Sequence, residues 1–447
     1  MKFHIHTYGC QMNERDTDTL AALLTRGGHV RARGERDADL IVVNTCSVRG
    51  KAEDKARGKL GLLVAGRAPD RPLIVGAVGC MAQRLGAELL RQVPGLDFVL
   101  GTRRLARLPE IVARIRAGEG PCVDVGEDED GAELPCDRAA PGVSAFVNVL
   151  LGCDRGCAYC VVPRVRGPER SRPAAEVLAE IRALVSQGVR EVTLLGQSVM
   201  NYGRRQPVWP AAAVSPLGFR EPFPRLLEAA AAIEGLWRLR FTSGHPSGCT
   251  AELARAMAVL PPVCEHLHLP LQSGSDRILR RMRRGYTTDD YRRAVARLRE
   301  ARPGLALTTD LIVGFPGETL EDFEATRRFC EEMELDNAFI FKYSPRPNTP
   351  AAEWPDDVPP AEKQRRNRVL LADQDARGLA LNSRLLGTRQ EVLTEGVSLR
   401  NARRWAGRTR TNKIVLFDPP ANAAPGQRLT VEIERALAQT LYGRVVG

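Results

Sequence analysis

Three cysteines in one short segment are the residues whose spacing most clearly predicts chemistry. Cys153, Cys157 and Cys160 form a C-x3-C-x2-C pattern directly after the strand predicted over Ala145–Leu151. Thiolates are soft ligands that suit iron–sulfur clusters. Three of them leave the fourth iron of a cubane cluster open for a small chelating ligand. The alternative is a zinc knuckle, but structural zinc usually takes four nitrogen or sulfur ligands, and no fourth ligand lies nearby.

The residues around this motif fit such a site. Gly152 and Gly156 allow the backbone to wrap tightly around a cluster. Tyr159, inside the motif, has a ring that can stack on an adenine. Four arginines follow the motif, and they are predicted either to bind a phosphate or cofactor carboxylate or to form a solvated basic face: Arg164, Arg166, Arg170 and Arg172.

A second set of cysteines is spread along the first third of the chain. Cys10, Cys46 and Cys80 lie roughly 35 residues apart, and each follows the end of a predicted strand. The carboxyl ends of parallel strands share one sheet edge, where ligands bind. We therefore expect the three thiols to converge; the alternative is three unrelated buried thiols. The other cysteines show no shared pattern and are interpreted as structural: Cys122, Cys136, Cys249, Cys264 and Cys330.

The elements that position the second set alternate between strand and helix. This alternation predicts a doubly wound parallel sheet over residues 1–123, followed by an acidic linker at 124–142. The predicted strands are Lys2–Thr7, Leu40–Asn44 and Leu73–Val78, and the predicted helices are Asn13–Arg26, Ala52–Ala65 and Gln83–Gln92.

The middle of the chain, residues 143–378, repeats the alternation with six strand–helix units. It predicts a central partial α/β barrel, whose active site should lie at the strand ends. A Pro-rich loop insertion at Gly203–Pro224 has no role that we can name. The residues at the strand ends are the candidates for cofactor binding: Gln197, Gln272, Ser273, Asp310 and Gly314. His245, Glu318 and Thr319 are interpreted as structural.

The last segment, residues 379–447, has a different sequence pattern. The runs Gln390–Thr394, Lys413–Phe417 and Leu429–Ile433 alternate with Gly and Pro turns, which predicts a small all-β barrel. From Ala380 onward we count about eleven Lys/Arg against about five Asp/Glu, so roughly +6 of the charge lies here.

The totals narrow the class of protein. With 447 residues the chain is long enough for two to four domains. No run approaches the roughly 20 apolar residues of a membrane span, and the N-terminus has no signal-peptide pattern, so we expect a cytoplasmic protein. In that compartment eleven cysteines favour metal or redox chemistry over disulfides. The net charge of +11 weakly favours a polyanionic partner.

At these residues the chain resembles the methylthiotransferase family of radical S-adenosylmethionine enzymes. The resemblance covers almost the whole length, and the terminal part resembles a TRAM domain, a small RNA-binding β-barrel. The matching segments are Thr7–Asn13, Asn44–Arg49, Gly79–Gln83, Gly152–Gly167, LPLQSGSD from Leu269, DLIVGFPGET from Asp310, YSPRPNTPAA from Tyr343 and GRTRTNKIVLF from Gly407.

The resemblance implies two 4Fe–4S clusters, one on each cysteine set, and S-adenosylmethionine bound at the open iron. Asn44–Arg49, Cys160–Pro163 and the basic terminal domain favour the branch that modifies tRNA. Its reaction adds a methylthio group to C2 of N6-dimethylallyladenosine next to the anticodon. The expected partners are tRNA, an electron donor and a sulfur source, with no membrane, and the expected state is a monomer. The candidate RNA contacts are Arg403, Arg404, Arg408, Arg410 and Lys413.

Two segments depart from the family pattern. Gly196–Met200 reads GQSVM where members usually read GQNVN, and Thr242–Pro246 reads TSGHP where they read TTSHP. The alternatives are a methylthiotransferase acting on a ribosomal-protein aspartate and a non-enzymatic iron–sulfur RNA-binding sensor. Cleavage of S-adenosylmethionine separates the enzymes from the sensor.

Overall fold

The computed structural model describes residues 1–47, 50–68, 72–126 and 142–446. Within those ranges the chain forms two compact units. The first comprises Met1–Ala140, Leu150–Arg155 and Cys160–Arg172, and the second comprises Pro141–Val149, Gly156–Tyr159 and Pro173–Gly447. Cys136 and most of the linker expected at 124–142 lie outside the described residues.

The first unit is built on a six-stranded parallel sheet with the strand order β2-β1-β3-β4-β5-β6. Its strands are β1 (Lys2–Tyr8), β2 (Val30–Arg31), β3 (Leu40–Thr45), β4 (Ile74–Gly79), β5 (Phe98–Leu100) and β6 (Cys122–Asp124). Its helices are α1 (Gln11–Arg26), α2 (Gly50–Ala65), α3 (Cys80–Leu85), α4 (Ala87–Gln92) and α5 (Leu108–Arg116).

Helices cover both faces of this sheet, which explains why its central strands read as continuous apolar runs. Every residue of β3 is buried. Ile41 and Val43 pack in the core on one face, and Leu40 and Val42 pack in the core on the other. The prediction of a doubly wound parallel sheet is confirmed.

The details that differ are local. The helix predicted over Gln83–Gln92 is two short helices, because the chain turns at Gly86 with a φ of 51°. Strands β2, β5 and β6 were not predicted, since each is only two or three residues long.

The cysteine motif lies between short elements. Strand β7 (Ser144–Asn148) precedes β8 (Leu150–Leu151), which pairs with β9 (Arg170–Ser171), and helix α6 (Val162–Arg166) lies between these two. The run predicted as one strand over Ala145–Leu151 is therefore β7 and β8.

The second unit contains six parallel strands in two three-stranded sheets, β11-β10-β7 and β12-β13-β14. A parallel bridge between Leu239 and Val263 connects the two sheets. The prediction of a partial barrel is confirmed. The strands are β10 (Glu191–Leu195), β11 (Arg238–Phe241), β12 (His266–His268), β13 (Ala306–Val313) and β14 (Asn337–Lys342). The helices are α7 (Ala174–Ser186), α8 (Pro222–Ala231), α9 (Ala251–Val259), α10 (Asp276–Arg281), α11 (Thr288–Ala301), α12 (Leu320–Glu332) and α13 (Pro360–Ser383).

The chain ends in a closed five-stranded barrel, so the predicted all-β terminal domain is confirmed. Its strands are β15 (Arg389–Ser398), β16 (Asn401–Thr409), β17 (Ile414–Phe417), β18 (Arg428–Ala436) and β19 (Thr440–Val445). The sequence had indicated three of them. Among the described residues, no helix is both long and apolar enough to cross a membrane.

Candidate functional site

The N-terminal cysteines follow three adjacent strands. Thr45 of β3 is aligned with Tyr8 of β1 on one side and with Gly79 of β4 on the other. Cys10, Cys46 and Cys80 come within two residues of those positions. The strand order reverses between β1 and β3, and in open α/β sheets ligands bind outside the strand ends at such a switch point.

Two buried asparagines connect the loops that carry these cysteines. The side-chain amide of Asn13 donates to Oδ1 of Asn44 over 3.0 Å and to the carbonyl of Thr45 over 3.1 Å. In return, the amide of Asn44 donates to the carbonyl of Asn13 over 2.8 Å. The backbone N–H of Cys10 donates to Oδ1 of Asn13. The pair therefore fixes Cys10 relative to the end of β3.

Glycine is required just before the third cysteine. Gly79 has a φ of 94°, and a Cβ there would lie 2.5 Å from the carbonyl oxygen of Thr45. The missing side chain lets the end of β4 approach the end of β3 closely. Cys80 then begins α3 from a buried position.

The three thiols lie close enough to influence one another. A hydrogen bond from the Cys46 thiol, against the opposing effect of burial, lowers the pKa of Cys10 to about 6. Burial raises the pKa of Cys80, while the charge of the nearby Arg166 guanidinium opposes that rise. At this site the easily deprotonated thiol of Cys10 thus lies near the Arg166 cation. Thiolates of this kind suit an iron–sulfur cluster.

Within the described ranges, no three His, Cys, Asp or Glu side chains lie close enough together to bind one metal ion.

The C-x3-C-x2-C loop has hydrogen-bond donors directed at its sulfurs. The backbone N–H of Arg155 lies 3.4 Å from Sγ of Cys153, in the first unit. In the second unit, Nη1 of Arg284 donates to Sγ of Cys157 over 3.2 Å. Hydrogen bonds of this kind stabilise the negative charge of a thiolate, so these sulfurs are suited to be cluster ligands.

The two glycines beside these cysteines have different surroundings. Gly152 has a φ of 73°, and a Cβ there would lie 2.0 Å from the carbonyl oxygen of Pro168. At Gly156 no atom of the described residues lies within 4 Å of the corresponding position. Gly152 is therefore required by close backbone packing, and the predicted wrap around a cluster stays a prediction for both glycines.

One of the cofactor candidates carries a buried acceptor atom. Gln197 follows the end of β10, and its Oε1 accepts no hydrogen bond from the part of the chain that the structure describes. A buried acceptor of this kind is costly unless a ligand supplies the donor. This amide oxygen fits the ammonium or hydroxyl groups of a bound S-adenosylmethionine.

The other candidates have different environments. Gln272 adopts a φ of 75° and exchanges backbone hydrogen bonds with β13. Ser273 accepts from the backbone N–H of Ser275, so its hydroxyl shapes a turn. The carboxylate of Asp310 lies 3.3 Å from the His268 ring, on the partly exposed side of β13.

The loop after β13 is organised by a carboxylate. Gly314 has a φ of 68°, and its N–H donates to Glu318, which also accepts from the N–H of Phe315. Thr319 caps α12, in keeping with its interpretation as a structural residue. Tyr159 packs edge-on against Phe315 at 6.3 Å, and its hydroxyl lies 3.4 Å from Nη1 of Arg284.

Three segments of the chain match known protein families. Residues 147–330 match the Radical SAM superfamily, residues 2–101 match the uncharacterized protein family UPF0004, and residues 383–446 match the TRAM domain. Curated relatives named tRNA-2-methylthio-N(6)-dimethylallyladenosine synthase match nearly the full length. The relative from Akkermansia muciniphila is 44% identical over 459 residues, which cover 99% of this chain and 98% of the relative. The chain belongs to this family of radical S-adenosylmethionine methylthiotransferases.

Two further relatives of the same name support the assignment. The protein of Moorella thermoacetica is 44% identical, with 99% of this chain and 98% of the relative covered. That of Opitutus terrae is 42% identical, with 100% and 97% covered. Among solved structures, the radical S-adenosylmethionine methyltransferase TsrM from Kitasatospora setae, with cobalamin and a [4Fe-4S] cluster bound, has a TM-score of 0.57 at 16% identity. It covers 78% of this chain and 77% of that one, and this likeness concerns the fold.

In this methylthiotransferase the basic residues of the TRAM domain that were predicted to bind RNA lie in two environments. Arg410 pairs with Glu265 over 2.8 Å, and Lys413 pairs with Asp336 over 2.6 Å, so both side chains attach the barrel to the strands of the central domain. Arg408 pairs with Glu395 on the barrel itself. A phosphate contact by Arg410 or Lys413 would have to break a largely buried ion pair, so we assign them to domain attachment.

The exposed face of the barrel has a different cluster, of which only Arg403 and Arg404 were predicted from the sequence. Arg404 and Arg435 each lie 5.3 Å from the ring centre of Tyr442. These three residues line a cleft of about 500 Å³ that also contains Arg444. Arg403 lies on the same strand as Arg404 and is exposed. The alternation of Arg and aromatic residues at strand spacing could have indicated this cluster. It was not predicted because β19 was not predicted.

The four arginines after the cysteine motif differ in their exposure to solvent. Arg164 is exposed, as a solvated face requires, and Arg170 is half-buried. Arg166 and Arg172 are buried, so a solvated basic face is wrong for these two. The buried thiols Cys249 and Cys330, whose pKa burial raises to about 12, fit the structural role predicted for them.

Proposed function

We propose that this protein is a tRNA methylthiotransferase that adds a methylthio group to C2 of N6-dimethylallyladenosine next to the anticodon. It uses S-adenosylmethionine and two 4Fe–4S clusters. The observation that carries the proposal is the presence of two separate three-cysteine sets in a chain that matches synthases of this reaction along its whole length. We place the reaction in the cytoplasm, with the protein acting as a monomer.

The first cluster is assigned to Cys153, Cys157 and Cys160. With S-adenosylmethionine bound, it supplies the one-electron chemistry that an unreactive aromatic C–H bond requires. The chain's own residues position these groups. Arg284 holds the sulfur of Cys157, and the Arg155 N–H holds that of Cys153.

The cofactor itself would be held by side chains at the strand ends. Gln197 offers an acceptor that has no hydrogen-bond partner among the described residues. Asp310 offers a half-exposed carboxylate, and Tyr159 offers an aromatic ring beside the cysteine loop. The N–H of Gly314 is already satisfied by Glu318, and a Cβ there would lie 2.3 Å from the Lys363 side chain, so we propose that Gly314 shapes the loop rather than contacting the cofactor. Gln272 and Ser273 shape the neighbouring turn.

The second cluster is assigned to Cys10, Cys46 and Cys80. These residues would hold the second cluster, which would supply the sulfur chemistry, and the paired amides of Asn13 and Asn44 keep two of the three loops in register. An external electron donor and a sulfur source complete the reaction.

The RNA surface is assigned to the exposed face of the TRAM barrel. Arg403, Arg404, Arg408 and Arg435 offer cations for phosphates, and Tyr442 offers a stacking ring. The target adenine must leave its stack to be reached, which a single-stranded anticodon loop allows more easily than a duplex does. Phosphate contacts of this kind weaken as salt concentration rises.

The proposal is tested by offering the reconstituted holoenzyme two substrates separately under anaerobic conditions, with S-adenosylmethionine, reductant and sulfide. One is prenylated tRNA and the other is a ribosomal-protein substrate containing the target aspartate. We expect 5′-deoxyadenosine release in both mixtures, with modification of the tRNA alone. Modification of the protein alone would favour the ribosomal-protein branch. Absence of 5′-deoxyadenosine in both would favour the non-enzymatic sensor.

A further inference from the structure

One buried arginine connects the segment after Cys160 with the N-terminal cysteines. Arg166 is the last residue of α6, and its side chain is 6% exposed. Its guanidinium donates twice to the carboxylate of Asp16, over 2.6 Å and 3.3 Å. The same guanidinium lies near enough to the thiols of Cys80 and Cys10 to interact with both electrostatically.

Packing reinforces this connection. Cys80 forms a buried cluster with Val161 and Val165, which lie on either side of the start of α6. The hydroxyl of Thr102 donates to the carbonyl of Val165 and holds the helix from the N-terminal side. The arginine is therefore fixed in place and has little freedom to move away from the thiols.

The charges explain why a buried arginine is tolerated here. Burial opposes the charged form, but the Asp16 carboxylate raises the pKa of Arg166, so the guanidinium stays protonated. One carboxylate already balances one guanidinium. Thiolates that bind a cluster add further negative charge at the same place, and this charge also needs compensation.

We infer that Arg166, oriented by Asp16, is a positioning residue for the N-terminal cluster: its cation lies beside the Cys80 ligand and raises the cluster's reduction potential. The inference rests on the proposed function, because it requires Cys10, Cys46 and Cys80 to bind a cluster. A cation near a ligand sulfur stabilises the more negative, reduced state. Cluster potentials respond to nearby charge and to hydrogen bonds on the sulfurs.

The test uses the full chain with Cys153→Ala, Cys157→Ala and Cys160→Ala, so that only the N-terminal cluster remains. The protein is reconstituted with iron and sulfide. Its iron content is measured, and its potential is determined by titration with dithionite followed by electron paramagnetic resonance. The compared variants add Arg166→Gln, Asp16→Asn or, as a matched control, Arg67→Gln. Arg67 pairs with Asp97 just before β5, at the opposite edge of the same sheet.

We expect Arg166→Gln to shift the potential to more negative values and Asp16→Asn to shift it to more positive values, while Arg67→Gln leaves it unchanged. Potential shifts of opposite sign would show that the charges of Arg166 and Asp16 act on the cluster. Loss of a purely structural ion pair would instead lower the stability of the fold, without potential shifts that depend on which charge is removed. If Arg166→Gln does not retain a cluster, Asp16→Asn decides, and a potential at or below that of the parent overturns the inference.

Failure of the inference and failure of the proposed function would give different results. A cluster that is bound normally, with unshifted potentials in both variants, overturns the inference and leaves the proposed function intact. A parent variant that binds no iron overturns the proposed cluster site, and the inference with it.

Discussion

Arg284 donates a hydrogen bond from Nη1 to the sulfur of Cys157 over 3.2 Å, from a position where only 8% of the residue is exposed. The guanidinium also lies 3.3 Å from the hydroxyl of Tyr286, and that hydroxyl donates to the carbonyl of Leu271. The middle cysteine of the motif is thus held by a cation that is itself fixed by the central barrel.

Replacing Arg284 should weaken the first cluster. Arg284→Gln removes a charged donor to a ligand sulfur, and losses of this kind typically cost roughly 10- to 100-fold in metal affinity. Iron retention during gel filtration and the rate of 5′-deoxyadenosine release should both fall. Arg292→Gln, on the exposed face of α11, is the control. Equal iron retention in the two variants would contradict the role given to Arg284.

The two cysteine sets should fail in different ways. Cys46→Ala removes one ligand from the N-terminal site and leaves the C-x3-C-x2-C loop unchanged. We therefore expect continued 5′-deoxyadenosine release with methylthio transfer below detection. Cys157→Ala should abolish cleavage while tRNA binding remains. Normal methylthio product from the Cys46 variant would mean that the N-terminal thiols are structural.

The barrel surface should determine the salt dependence of tRNA binding. Arg404→Gln together with Arg435→Gln removes two cations from the Tyr442 cleft. Affinity should fall, and the slope of log K against log salt should flatten by about 2, roughly one per phosphate contact. Lys413→Gln is the matched control, because its side chain pairs with Asp336. The assignment is wrong if Lys413→Gln flattens the slope and the double variant does not.

A buried histidine should make stability depend on pH. His266 is 5% exposed, and burial, reinforced by Arg240, holds its pKa well below the usual value. The unfolded chain binds this proton near pH 6.5, whereas the folded chain does not, so stability is complete above about pH 6.5 and is lost as the pH falls. His266→Gln should reduce this slope in denaturant unfolding between pH 7 and pH 5. An unchanged slope would show that folding does not lower the pKa of His266.

The two departures from the family pattern are in contact with each other. A Cβ on Gly244 would lie 2.9 Å from Cε of Met200 and 2.9 Å from the carbonyl oxygen of His268. The long Met200 side chain and the absent side chain at Gly244 are therefore complementary. This contact explains how both changes fit at the strand ends.

Gly244→Ala should accordingly destabilise the protein by about 1–3 kcal/mol through overpacking. Met200→Ala in the same chain should make the combined loss smaller than the sum of the two single losses. Gly58→Ala is the control, since nothing lies within 4 Å of its Cβ position in α2. Strict additivity in a double-mutant cycle would contradict the proposed contact.

The convergence of the N-terminal cysteines could be predicted because it follows from a general rule. Residues after parallel strands share one sheet edge, and Cys10, Cys46 and Cys80 all follow such strands. The Asn13–Asn44 pair could not be predicted, because it depends on the register between two distant loops.

The missed features have similar physical causes. Arg166 and Arg284 are buried by tertiary contacts, and nothing local in the sequence distinguishes them from exposed arginines. Strands β16 and β19 were missed because Arg, Asn and Gly interrupt their apolar residues. Without β19, the pairing of Tyr442 with Arg404 and Arg435 could not be expected.

The most direct test of the central claim is the mass of the modified nucleoside. The reconstituted protein is incubated anaerobically with S-adenosylmethionine, reductant, sulfide and prenylated tRNA, and the tRNA is then digested and analysed by mass spectrometry. We predict a new N6-dimethylallyladenosine that carries one methylthio group and is absent when Cys157→Ala or Cys46→Ala protein is used. Release of 5′-deoxyadenosine with unchanged tRNA nucleosides would contradict the assignment of tRNA as the substrate.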